Sequence, residues 1–169
     1  MIRKLDLPQR VALLRIVFGV IWLIDAGVKM NHVFIHDFKD DFTEGAAGQP
    51  GWLHWWFRFW TRVINTSPSS FAYLTIVLET ALGLSLLFGF ARRTGYIGGF
   101  VFSLAIWAIP EGFGGPYSMS STDIAQGIIY ALVFAALYGL ESALRARPAW
   151  AADERIERRF SWWRPIAEP

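Results

Sequence analysis

Four ionisable side chains stand where an apolar sequence ought to hold none. Arg15, Asp25 and Lys29 interrupt the run PQRVALLRIVFGVIWLIDAGVKM from Pro8 to Met30, and Glu79 interrupts the run from Ser69 to Phe90. A charge at mid-bilayer costs at least about 2.5–3.5 kcal/mol, so such groups turn toward protein or water. At ~3.6 residues per turn, Arg15, Phe18, Trp22, Asp25 and Lys29 fall on one helical stripe, the inner wall of a helix bundle. A carboxylate and a cation at that depth can handle protons, anchor a polar headgroup such as that of a quinone, or only fix helix register.

Glu79 is eleven residues into its segment, about 16 Å deep at ~1.5 Å per residue. Ala72, Thr75 and Gly83 share its face and leave room for a partner. Arg15 is the deep cation of the first segment and has a long stem, so the expected partners are Arg15 and Glu79. Asp25 and Lys29 are i, i+4 neighbours toward the other end. If that helix continues past Met30, His32 and His36 extend its stripe. Glu111, Tyr117 and Asp123 from later segments would complete a polar outer mouth able to exchange protons. Simpler readings stand beside these: Asp25–Lys29 as a surface ion pair, and Asp123 as a helix cap favoured by the helix dipole. His32-x-x-x-His36 with Asp40 has metal-ligand spacing but no third firm ligand, so no metal is expected.

These residues need membrane helices to hold them. The 169-residue chain is 54% hydrophobic and 18% charged, with mean hydropathy +0.33, too apolar for a soluble domain of this size. Spans are expected at about 8–30, 68–90, 94–110 and 122–144. Together they make an all-α, four-helix membrane domain over 1–144, followed by a cytoplasmic tail, 145–169, read as a surface helix. Trp52 to Asn65 is too short to span. With polar His54, Arg58, Thr61, Arg62 and Asn65 on one side and Trp and Phe elsewhere, it reads as an amphipathic interfacial helix. Asn31 to Gly51 reads as a polar stretch. Ser67-Pro68 opens the second span, and Ser120-x-x-Asp123 resembles a capping box opening the fourth.

Small residues supply a packing code: Gly95, Gly99 and Ser103 in the third span, and Gly127, Ala131, Ala135, Gly139 and Ala143 in the fourth. The N-terminal lead, Arg92-Arg93 and the Arg-rich tail share one side, so both termini are expected in the cytoplasm of a multi-pass inner-membrane protein. The first run lacks a small-residue cleavage motif and is read as retained. Zero Cys excludes disulfides, thiolate zinc, cysteine-ligated iron–sulfur clusters and covalent c-type haem. No basic tract suggests nucleic acid.

Arg15-x-x-x-Gly19, Gly27-x-Lys29, and Glu79-x-x-x-Gly83 running through Gly89 to Arg92-Arg93 resemble DoxX/DoxD-type membrane proteins. The stretch EGFGGPY (Glu111 to Tyr117), with Thr122-Asp123-Ile124 and Gly127-Ile128-Ile129-Tyr130, is similar to the DoxD branch, which includes the small subunit of thiosulfate:quinone oxidoreductase. The resemblance covers most of Val11 to Leu144. It implies a four-helix membrane subunit of a quinone-linked oxidoreductase and carries Arg15, Glu79, Glu111 and Asp123 over by motif position. Quinone is then the cofactor, none being covalently bound. The lipid bilayer and other complex subunits, or further copies, are the partners. Lacking an electron relay of its own, such a chain works with a separate catalytic protein. The alternatives are a structural or assembly subunit and, last, a small-solute or proton transporter.

Overall fold

The computed structural model describes residues 5–117, 123–144 and 148–169. Among these the chain is all-helical. Three helices are long and apolar enough to cross a membrane: α1 (Leu7–Lys29), α4 (Pro68–Phe88) and α6 (Gln126–Ala143). Helix α5 (Arg92–Ala108) is shorter at 17 residues. Between α1 and α4 lie α2 (His32–Ala46) and α3 (His54–Asn65), and the chain closes with two short helices, α7 (Asp153–Glu157) and α8 (Arg164–Ala167).

Local chemistry sets the boundaries. Asp6 and Gln9 form a reciprocal capping box ahead of Pro8 at the start of α1. At its other end Met30 leaves helical geometry, and the Asn31 side chain accepts the Phe34 N–H at 2.9 Å to begin α2. The expected polar stretch after the first span is therefore largely helix, with Phe34, Phe38 and Phe42 stacked along one face.

Helix α1 packs along α4 and α5 along α6, while α4 also touches α5 and α1 touches α6. Backbones meet where α1 crosses α4: a Cβ on Gly19 would lie 2.8 Å from the Leu87 nitrogen and 2.9 Å from the Gly83 carbonyl oxygen. Phe18, Trp22, Leu86, Tyr96, Phe134 and Leu137 form the central core. A second cluster, Phe38, Phe42, Ile64, Ala72 and Ile109, lies where α2 and α3 cover the ends of α4 and α5. Leu13, Val17, Ile24 and Val28 of α1 and Val77 and Leu84 of α4 are exposed, as lipid-facing side chains are. On α6 the buried row is Gly127, Ala131, Phe134 and Leu137, so the small-residue row leaves the interface after Ala131, and Ala135 and Gly139 face outward.

The C-terminal segment is not one surface helix. Its described part folds against the ends of α4 and α5, where Ala152 and Asp153 donate backbone N–H bonds to Phe88 and Gly89. Gly89 has φ +61°, and a Cβ there would collide with the Arg15 guanidinium.

Candidate functional site

Glu79 is fully buried, and its Oε1 lies 2.5 Å from Lys29 Nζ, which also donates to Asp25 Oδ2 at 2.8 Å. Two carboxylates thus share one ammonium. The Asp25 side chain is 38% exposed, that of Lys29 22% and that of Glu79 0%, so the cluster runs from the rim of the fold to its interior. The second oxygen, Glu79 Oε2, has no hydrogen-bond partner among the described residues.

Arg15 and Glu79 do not meet, contrary to the sequence expectation. The Gly19–Gly83 crossing fixes an antiparallel register that sets Arg15 beside the last turn of α4 and Glu79 beside the last turn of α1. Arg15 instead donates to three backbone carbonyls: Leu86 at 2.5 Å, Trp150 at 2.9 Å and Ala149 at 3.4 Å. The glycines were the signal available: their sequence positions specify which side chains lie across from each other.

Lys29 and Glu79 close one end of a cavity of about 200 Å³. Its walls are Phe34, Phe38 and Phe42 from α2, Trp60 and Ile64 from α3, Phe71 and Thr75 from α4, and Phe102, Ala105, Ile106 and Ile109 from α5. Trp56 donates its indole N–H to the Ala108 carbonyl at 2.9 Å. The buried Trp60 indole N–H has no acceptor among the described residues. Glu79 and Trp60, each with a polar atom that has no partner among the described residues, both line this apolar and largely aromatic cavity. Sequence reasoning missed Trp60 because nine Trp in the chain look alike. Only the three-dimensional fold shows that Trp60 lines this cavity.

The other expected mouth residues disperse. The helix break at Met30 and Asn31 removes His32 and His36 from the α1 stripe. Both are exposed, with His36 Nδ1 2.6 Å from Asp37. Tyr117 is exposed and donates to the Phe113 carbonyl at 2.7 Å. Asp123 accepts the Ala125 N–H at 2.8 Å, and α6 begins only after Ala125, so Asp123 is not its N-cap. Ser120 and Thr122 lie outside the described residues. Glu111 fills the capping role from a distance, accepting the Gly127 N–H at 2.8 Å. Burial holds its carboxyl above the ordinary carboxylate range, against the Gly127 and Gln126 amides that pull it down.

At the opposite end is a second ionic cluster. Asp153 accepts from the Ala91 and Arg92 amides at 2.8 and 3.1 Å, from Arg92 Nε at 3.1 Å and from the Trp163 indole at 2.8 Å. Arg92 also binds Glu141 at 2.5 Å, and Tyr96 donates to Glu141 at 2.8 Å. Asp153 thereby caps α5, which has no side-chain cap of its own.

No protein-family model, curated protein or solved structure matches the chain.

Proposed function

We propose that the chain is a multi-pass inner-membrane protein of the DoxX/DoxD type in which α1, α4, α5 and α6 form a four-helix bundle, with both termini cytoplasmic. It serves as the membrane subunit of a quinone-linked redox complex, in the manner of the thiosulfate:quinone oxidoreductase small subunit, and receives electrons through a separate catalytic subunit. The reading rests on one observation above all: an aromatic cavity between the helices is lined by Glu79 and Trp60, each of which has a buried polar atom without a partner among the described residues.

These residues fit a quinone headgroup. The cavity is smaller than the roughly 300–1,000 Å³ of a drug-sized site, so it takes one ring while an isoprenoid tail stays in lipid. Glu79 Oε2 accepts from, or delivers a proton to, one ring oxygen. Lys29 holds the other carboxylate oxygen and fixes the group's direction. Trp60 Nε1 donates to a second ring oxygen, and the phenylalanines keep water out. A bound quinone supplies two-electron, two-proton carrier chemistry.

The test is extraction of lipid-soluble cofactor from protein purified in mild detergent. Wild type should carry quinone. Glu79→Gln and Trp60→Phe should each lower its occupancy or affinity about tenfold, as loss of one hydrogen bond to a buried polar group does. Wild type without quinone at saturating supply, or both variants binding as wild type does, would overturn the proposal. The assembly-subunit alternative is favoured by the exposed Ala135 and Gly139 on α6. It requires that bulky residues there dissociate the complex while leaving quinone binding unchanged.

A further inference from the structure

Trp60 occupies one face of α3; the opposite face poses a separate question. His54, Phe57, Arg58, Thr61 and Arg62 line a shallow groove of about 420 Å³, closed on its far side by Ala46 at the end of α2. Arg58 and Arg62 are one turn apart, both exposed, and neither has a hydrogen bond or ion pair among the described residues. Glu44, close in sequence to Ala46, forms no ion pair with them within the described set. His54 is held in place by the Gln49 carbonyl at 3.0 Å. Next around the helix come Trp55, 61% exposed, Phe59, 52% exposed, and Trp52, 71% exposed. Thus an aromatic stripe, made by Trp55 and Phe59 of α3 with Trp52 just before the helix, lies beside the dicationic groove.

Its depth is set by connectivity. Helix α3 ends at Asn65 and α4, one of the membrane-length helices, starts at Pro68. So the C-terminal end of α3, with Arg62, lies where α4 enters hydrocarbon in the membrane reading proposed above. Two guanidiniums at that level, beside exposed indoles, match a phosphate joined to acyl chains.

We propose that the α3 groove is a binding site for an anionic phospholipid. Arg58 and Arg62 hold the phosphate, Thr61 faces it from the groove wall, and Trp52, Trp55 and Phe59 seat among the upper acyl carbons. This accounts for two arginines on the side of the membrane opposite the basic termini, where charge bias alone disfavours them. It is independent of the quinone cavity, which uses the other face of the helix.

Native mass spectrometry of the full chain in detergent, titrated with phosphatidylglycerol or phosphatidylcholine, tests it. Wild type should prefer phosphatidylglycerol. Arg58→Gln with Arg62→Gln should lower that affinity on the order of tenfold or more and weaken phosphatidylcholine, whose phosphate is balanced by its own choline, much less, so that the preference is lost. Trp55→Ala with Phe59→Ala should weaken both lipids alike. Arg158→Gln, an exposed tail arginine, should change neither. Circular dichroism confirms that each variant is helical, and Arg58→Lys with Arg62→Lys, which retains charge but not the forked donor geometry, should fall between wild type and the glutamine pair. Equal binding of the two lipids by wild type, or an unchanged preference in the glutamine variant, would overturn the proposal. So would full displacement of the lipid by millimolar inorganic phosphate, which would make the groove a site for free anions.

Discussion

The two ends of this molecule handle buried charge in opposite ways. At one end Arg92, Asp153, Glu141 and Tyr96 answer one another, and Arg15 is wrapped in three carbonyls. Side chains and backbone there saturate each other, leaving only Arg15 Nε of this set without a partner. At the other end Glu79 is bonded through one oxygen only, and Trp60 not at all. Both face a cavity. A cluster with nearly all of its hydrogen-bonding capacity spent internally serves the fold. An unsaturated pair beside free volume retains capacity for something else. Burial alone did not distinguish the two; the count of partners did.

That contrast breaks most sharply at Asp153. Asp153→Ala strands the buried Arg92 and uncaps α5, and should cost about 3–5 kcal/mol in thermal or denaturant unfolding in detergent, with quinone affinity unchanged in the fraction that remains folded. Arg15→Gln strips the Trp150 and Ala149 carbonyls of their donor; about 2 kcal/mol is the expected loss, accompanied by faster proteolysis of the tail. Glu79→Gln should move stability by only about 1 kcal/mol, since Lys29 keeps Asp25, while cofactor retention collapses. A stability loss at Glu79 as large as that at Asp153 would erase the distinction between the ends.

Glu111 gives the smallest effect. Glu111→Ala should cost about 1 kcal/mol through the lost α6 cap. Its carboxyl titrates above the ordinary range when folded, so the folded chain holds a proton that the unfolded chain has released. Stability from this group is therefore greatest at low pH and declines as pH rises from the ordinary carboxylate value through the raised one. Melting temperature followed across that window should slope downward in wild type and flatten in Glu111→Gln.

The sequence made the long helices readable, since apolar runs and their caps are local signals. Pro8, Ser67-Pro68 and Thr94, where the first three spans were expected to open, all fall within two residues of observed helix starts. Inward placement of Arg15, Phe18 and Trp22 was equally readable, because periodicity and the cost of a charge in lipid point the same way. Pairing was harder. Arg15 was matched to Glu79 by depth, whereas the contact is set by the stagger of two antiparallel helices, a non-local property written in Gly19 and Gly83. The polar residues of Asn31 to Gly51 hid α2, although the spacing of Phe34, Phe38 and Phe42 belongs to a helix. Asp153 was unreadable, for its partners at the start of α5 lie 61 and 62 residues away.

The longest-range of the Arg15 bonds has a temporal meaning as well. Arg15 is made early, but one carbonyl that holds it belongs to Trp150, 135 residues later. Until Ala149 and Trp150 are made, the Arg15 guanidinium has only the Leu86 carbonyl of its three acceptors. A chain stopped short of residue 149 therefore leaves this buried cation with two of its three acceptors missing.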